Sequence, residues 1–191
     1  MPSYLSVFLV ATALVATQAH TETAGDPYNF KSDNTVVSNV TDVKGSWVMY
    51  KQCDSRWANQ QLGTCALTIC SAGCAMSSVA MMLATRGVSQ NPSTLDSWLT
   101  NNGGYAGGCN IYWGSVDAFG ASTFRGIQVA NEQEICNGLA QMHGIVANVN
   151  GGGHWVLLTG CLGGGVFTVN DPGYNRDTYS IGEILQEAVY W

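Results

Sequence analysis

Three separated segments carry residue types that could together form a thiol-dependent hydrolase site. Cys74 follows a Ser-Ala-Gly run and opens an apolar stretch, His154 lies in Gly-His-Trp-Val, and Asp171 lies in Asn-Asp-Pro-Gly. A cysteine nucleophile needs a base, and the base needs a third group that orients its ring. The order cysteine, histidine, acid supplies each of these roles once.

The position of Cys74 favours a reactive thiol. Met76, Val79, Ala80 and Leu83 recur at helical spacing, which predicts a helix from residue 74 to 85, ended by a glycine at 87. A thiol in the first turn of a helix faces backbone N–H groups and the positive end of the helix dipole, and both stabilise thiolate. Thiolate is the nucleophilic form of cysteine.

His154 and Asp171 each have a structural alternative. A histidine among apolar strand residues is more often a core side chain than a base, and Asp-Pro-Gly is a common turn sequence. Asn170 could orient an imidazole through its amide. We favour Asp171, because a carboxylate at the exit of a strand can reach over the sheet edge, while Asn170 points to the opposite face.

The reaction also needs hydrogen-bond donors for the oxyanion that forms on the attacked carbonyl. The backbone N–H of Cys74 is one candidate. Gln52, in the loop before the helix, is the best side-chain candidate, and Gln60 and Gln61 are the alternatives. A solvated loop glutamine is an equally good interpretation of Gln52.

The N-terminus has the pattern of a secretory signal. Tyr4 to Ala16 is almost entirely apolar or small, and Thr17-Gln18-Ala19 offers a cleavage site, so we expect residues 1–19 to be a signal peptide. Residues 20–45 are polar and predict a flexible lead-in that holds the sequon at Asn39. Residues 46–191 then form one domain. We expect a secreted protein with no membrane attachment after cleavage.

Composition excludes several functions. The seven Lys and Arg are scattered and the net charge is −6, so no nucleic-acid-binding patch is visible.

The chain has seven cysteines, and in an exported protein most of them should be paired, so at least one is left outside a disulfide. Three disulfides and a thiol at Cys74 fit this count, although Cys74 could pair and another cysteine remain. Cys65 with Cys70 and Cys136 with Cys161 are candidate pairs. No zinc-ligand spacing occurs, and we expect neither metal nor organic cofactor.

The elements that position these residues predict an α+β fold. Helices are expected at 74–85, from Asn91-Pro92 through Leu99, at 113–119 and at 131–142. Strands are expected at 47–50, 145–150, 154–160 and 165–170, and the last three form an antiparallel meander. The nucleophile therefore lies at a helix start in the N-terminal helical half, packed against a C-terminal sheet.

Taken together, these motifs resemble the bacteriocin-processing-peptidase-like (C39-like) cysteine peptidases of the papain clan. The resemblance rests on Tyr-x-Gln-x-Asp-x-x-Trp at 50–57, Leu-Gly at 62–63, Gly-Cys at 73–74, Asn-Pro at 91–92, Gly-His-Trp-Val at 153–156 and Asn-Asp-Pro at 170–172. It implies a papain-like fold with Cys74 as nucleophile, His154 as base and Asp171 as the orienting acid. The family's oxyanion glutamine often lies only a few residues before the cysteine, where Thr68-Ile69-Cys70 stands here.

The resemblance implies a thiol hydrolase that cleaves peptide or amide bonds. We expect a peptide or peptidoglycan-like substrate and a monomer. The additional cysteines argue against carrying over the processing of leader peptides. Two other functions stay open: a catalytically idle binding module on the same fold, and a peptidoglycan amidase or endopeptidase.

Overall fold

A computed structural model describes residues 46–191, and the predicted signal peptide, lead-in and sequon at Asn39 lie outside them. The helices are α1 (Ile69–Ala72), α2 (Cys74–Thr85), α3 (Pro92–Asn101) and α4 (Glu132–Ala140). The strands are β1 (Tyr105–Ala106), β2 (Asn110–Ile111), β3 (Phe124–Gln128), β4 (Gly144–Val149), β5 (His154–Gly163), β6 (Val166–Asn170), β7 (Thr178–Ser180) and β8 (Gln186–Tyr190). Short 3₁₀ helices span Trp113–Phe119, Asn150–Gly152 and Ile181–Glu183.

The main sheet has six antiparallel strands in the order β3-β8-β4-β5-β6-β7. Strands β4 to β6 form the predicted meander, while the sequence pattern does not predict β3 or β7. The strand β8, which the sequence pattern missed, inserts between β3 and β4, so the last strand of the domain lies inside the sheet. The predicted α+β class is confirmed, with the first three helices preceding this sheet.

The sheet separates two apolar cores. Val146, Trp155 and Leu157 face α2, whose residues 74–83 are all buried, including Ser77 and Ser78. Because side chains alternate along a strand, those of Ile145 and Val156 point to the other face of the sheet, where they pack under α4. The nucleophile's helix and α4 therefore lie on opposite faces of the same sheet.

The helix boundaries follow local capping chemistry. The side chain of Asn91 accepts a hydrogen bond from the N–H of Thr94, while Pro92 occupies the first helical turn of α3. Asn131 caps α4 in the same way through the N–H of Glu134. Gly87, with a φ of +83°, follows the end of α2. These ends agree with the predicted ones to within about two residues.

The predicted strand at residues 47–50 is wrong. This segment forms no strand; instead the side-chain amide of Asn170 donates to the carbonyls of Trp47 and Val48, at 3.3 and 3.0 Å. The N–H of Val48 donates to the hydroxyl of Thr85. Hydrogen bonds to side chains thus hold this segment in place of the backbone hydrogen bonds of a strand. The residues expected to be loop at 101–109 contain β1, which pairs with β2 in a small hairpin.

Two disulfides cross-link the described residues. Cys136–Cys161 joins α4 to β5, as expected. The expected Cys65–Cys70 pair is wrong, because Cys70 bonds to Cys53. Cys65, Cys74 and Cys109 lie outside the two disulfides. Within residues 46–191, no helix combines the length and the hydropathy that crossing a bilayer requires.

Candidate active site

Cys74 begins α2 directly after a tight turn at Gly73. A Cβ atom at position 73 would lie 2.5 Å from the carbonyl oxygen of Ile69, so the close approach of α1 to α2 requires glycine. The carbonyl of Gly73 accepts the N–H of Ser77, the first hydrogen bond of α2. Cys74 is therefore fixed at the N-terminal end of a buried helix, with 6% of its surface exposed.

Helix α2 lies against the start of β5, where His154 is found. The hydroxyl of Ser78 donates to the carbonyl of Trp155 at 3.3 Å. Ser78 is one helical turn after Cys74 on the same face of α2, and Trp155 is the residue after His154. The first turn of α2 and the first residue of β5 thus lie at the same end of the sheet.

The side chains of His154 and Asp171 form a buried contact at ion-pair distance. Nε2 of His154 lies 2.7 Å from Oδ1 of Asp171, and the two residues are 4% and 0% exposed. The hairpin of β5 and β6 brings them together, because Leu157 pairs with Asn170 and Asp171 leaves the sheet next. The sequence reasoning placed both residues at this edge, and the structure brings them into contact.

Four donors converge on the Asp171 carboxylate. Oδ1 accepts from His154 and from the backbone N–H groups of Gly173 and Tyr174, at 2.8 and 2.9 Å, and Oδ2 accepts from the Tyr179 hydroxyl at 3.0 Å. Burial acts to raise the pKa of Asp171, but the hydrogen bond and charge of His154 and the two backbone N–H groups together lower it. Asp171 therefore stays ionised although it is inaccessible to water.

Sequence reasoning missed the residues that support Asp171. Burial, followed by the charge of Asp171, raises the pKa of Tyr179, so its phenol remains a neutral donor. The ammonium group of Lys51 donates to the carbonyls of Asp171, at 2.8 Å, and Tyr174. The ring of Tyr174 meets that of His154 edge-on, with centroids 4.9 Å apart. Only Tyr174 had a local signal, since it directly follows the Asp-Pro-Gly turn; Lys51 and Tyr179 come from distant segments.

Asn170, the alternative to Asp171, serves the fold instead. Its amide is occupied with the carbonyls of residues 47 and 48. This contact holds the segment that leads into Gln52 against the end of β6.

Gln52 lies within the same cluster. Its backbone N–H donates to the carbonyl of Pro172 at 2.9 Å, and its Nε2 donates to the carbonyl of Cys70 at 2.6 Å. Its Oε1 is buried and has no hydrogen-bond partner among the described residues. A Cβ atom at Gly173 would lie 3.3 Å from this Oε1 and 2.9 Å from Cε1 of His154, so Gln52 and His154 flank Gly173. The Cys53–Cys70 disulfide ties the residue after Gln52 to the helix that precedes Cys74.

The two alternatives to Gln52 are engaged elsewhere. Nε2 of Gln60 donates to the Asp96 carboxylate at 2.8 Å and anchors the loop to α3. Gln61 is exposed and donates to the carbonyl of Cys65. Of the three glutamines, only Gln52 adjoins His154. No cluster of three or more His, Cys, Asp or Glu side chains within residues 46–191 is arranged to hold a metal ion.

Comparison with known proteins gives one match. The model of the Peptidase_C39 like family matches residues 49–190, which include each of the site residues described above. No curated protein and no solved structure gives a significant match. The match agrees with the resemblance drawn from the sequence motifs and with a papain-like α+β fold.

Proposed function

This chain belongs to the Peptidase_C39 like family, and from that premise we propose that it is a secreted cysteine peptidase that cleaves peptide or amide bonds through Cys74, His154 and Asp171. The observation that carries the proposal is the buried 2.7 Å contact of His154 with Asp171 at the end of the sheet where α2 begins. The ionised Asp171 engages Nε2 of the ring, which leaves Nδ1 as the nitrogen that exchanges a proton with the thiol.

The reaction proceeds in two displacements. Nδ1 of His154 accepts the proton of Cys74, and the thiolate attacks the substrate carbonyl carbon to form a tetrahedral oxyanion. The intermediate collapses to a thioester as the imidazolium protonates the leaving amine. Water, deprotonated by the same Nδ1, then attacks the thioester, releasing the acid product and returning the proton to the Cys74 sulfur.

Two donors are proposed to stabilise the oxyanion. The N–H groups of a helix's first turn have no intrahelical acceptor, so the Cys74 backbone can supply one. The second is Nε2 of Gln52, which has two hydrogens; one is held by the carbonyl of Cys70, and the other remains for the substrate. This existing hydrogen bond fixes the amide before substrate binds.

Location and substrate are part of the proposal. Two disulfides, Cys53–Cys70 and Cys136–Cys161, fit an oxidising compartment and thus an exported protein. We propose a monomer that acts on a peptide or on peptide segments of a peptidoglycan-like polymer. Release of fragments from purified cell wall, compared with cleavage of a fluorescein-labelled casein, distinguishes these two substrates.

The decisive experiment measures the iodoacetamide labelling rate of each cysteine against pH, with peptide mapping. Cys74 should label well below the pH expected from a free-thiol pKa of about 8.5. His154→Ala should move its profile upward and lower turnover by about two orders of magnitude or more. Cys65→Ala is the matched control and should leave turnover unchanged. Coincident profiles for wild type and His154→Ala would refute the proposed pair and favour an idle binding module.

A further inference from the structure

A second concave site lies on the opposite face of the sheet from Cys74. A cavity of about 320 Å³ opens between α4, β3 and β8, beside the turn that joins α4 to β4. Its polar walls include Glu134, Glu187 and His143, and its apolar walls include Ile145 and Trp191. None of these residues takes part in the proposed peptidase site.

Glu187 is the unusual group in this cavity. It lies in β8 opposite Ala147, on the sheet face that α4 covers, and only 1% of its surface is exposed. Its Oε2 is buried and accepts no hydrogen bond from any of residues 46–191. A buried carboxylate without a partner is costly, and such groups are normally paired. Glu187 therefore lacks the donor that its position requires.

Among residues 46–191, no cation forms an ion pair with Glu187. The guanidinium of Arg125, on β3, stacks over the Trp191 ring at 3.8 Å. Arg86, which follows α2, donates to the carbonyls of Met142 and Tyr190, at 3.0 and 3.4 Å. Burial, and then the charges of these two arginines, lowers the pKa of His143, so its imidazole is neutral at neutral pH.

The other charged side chain that lines this cavity is Glu134, whose charge has the same sign as that of Glu187. Glu134 projects from α4 at the exposed side of the cavity. Burial, followed by the charge of Glu134, raises the pKa of Glu187 to about 7. When Glu187 ionises, the cavity thus holds two carboxylates and one neutral imidazole.

We propose that this cavity binds a primary ammonium group on an aliphatic stem, such as a lysyl side chain, with Glu187 as its buried acceptor and Glu134 at the entrance. An ammonium supplies three donors and the missing positive charge. Ile145, Val189 and the Trp191 ring provide apolar contact for the methylene stem. A metal ion is a poorer fit, because the described residues contain no three-ligand cluster. This site is independent of the proposed peptidase activity.

The test is calorimetric titration of the full chain with n-pentylamine, using 1-pentanol as the uncharged probe of the same length. Pentylamine should bind at least ten-fold more tightly than pentanol at pH 8. It should bind about ten-fold more weakly at pH 6, where Glu187 is protonated and the amine keeps its charge. Near pH 7, titrations in buffers of different ionisation enthalpy should show that binding releases a proton.

Variants assign the effect to Glu187. Glu187→Gln has the same shape and should lower pentylamine affinity ten-fold or more and abolish proton release. Glu134→Gln should cause a smaller loss. Glu132→Gln is the control, because Glu132 lies on the same helix but accepts a hydrogen bond from the N–H of Gly165 instead. Equal binding of amine and alcohol, equal affinity in Glu187→Gln, or no saturable binding of pentylamine would each overturn the proposal.

Discussion

Replacing Gly173 by alanine should displace the His154 ring while leaving the fold intact. The new methyl group would lie 2.9 Å from Cε1 and 3.5 Å from Nε2 of His154, and 3.3 Å from Oε1 of Gln52. Carbon atoms in contact normally lie about 3.5–4.0 Å apart, so the ring must move by about 0.6 Å or more. The φ angle of Gly173 is outside the left-handed region, so alanine introduces no backbone strain.

The ring has little room for this movement. Nε2 is held 2.7 Å from Asp171, and the same Oδ1 accepts the N–H of Gly173, so the methyl group presses on both partners. A misplacement of about 1 Å at a catalytic group costs on the order of 10²-fold in rate. A shift of about 0.6 Å should therefore lower turnover by about ten-fold, which corresponds to about 1.4 kcal/mol of transition-state stabilisation.

The assay is the rate of iodoacetamide labelling of Cys74 between pH 5 and 9, with hydrolysis of labelled casein and thermal unfolding measured in parallel. Gly173→Ala should slow both reactions and shift the labelling profile to higher pH, with little change in melting temperature. Gly182→Ala is the control, since a Cβ atom there meets nothing within 4 Å. If the two alanine variants label and hydrolyse alike, His154 and Gln52 do not act on Cys74 as proposed.

Three further predictions address the residues around the two sites. Asp171→Asn should lower activity partially, because its amide oxygen can still accept the His154 hydrogen bond, whereas Asp171→Ala should lower it further; equal and negligible losses would remove Asp171 from the mechanism. Between about pH 4.5 and 7 the native state keeps a proton on Glu187 that the unfolded state has lost, so the unfolding free energy of the wild type should fall as the pH rises, by about 3 kcal/mol in all. Glu187→Gln should abolish this fall, measured by urea unfolding at each pH. An unchanged slope in the variant would contradict the raised pKa. Replacing Cys53 and Cys70 by serine should lower the unfolding free energy by about 3 kcal/mol and also slow Cys74 labelling, because the disulfide no longer holds the loop of Gln52. The control replaces Cys136 and Cys161 by serine, which should cost similar stability and leave Cys74 labelling unchanged. Equal labelling rates in the two variants would show that the first disulfide does not hold the site.

The parts that sequence reasoning predicted are those that local rules determine. Helix α2 follows from a run of small and apolar residues ended by a glycine, and α3 from the Asn91-Pro92 cap. The proximity of His154 and Asp171 is partly local, because β5 and β6 form a hairpin about the turn at residues 163–165. His154 lies three residues before Leu157, and Asp171 lies one residue after Asn170, the partner of Leu157, so the hairpin leaves both at the same sheet edge although they are not directly opposite.

The parts that sequence reasoning missed depend on contacts between distant segments. Strand β8 (Gln186–Tyr190) is short and begins with two polar residues, and nothing in it indicates a position between β3 and β4. The partner of Cys70 could not be chosen from spacing alone, since several cysteines were available. Tyr179 and Lys51 carry no local motif; their roles come from the loop at residues 171–174, which brings Asp171 within reach of both.

The inner position of β8 has a consequence for when this protein becomes functional. The neighbours of β8 are β3 and β4, which precede it by about 60 and 40 residues, so the centre of the sheet cannot close until residues 186–190 have been synthesised. On the export route proposed above, a chain that emerges N-terminus first would hold Cys74 and His154 outside the channel before their supporting sheet exists. The proposed nucleophile would thus stay unorganised through translocation, and the proposed cleavage of other chains would wait until the domain is complete.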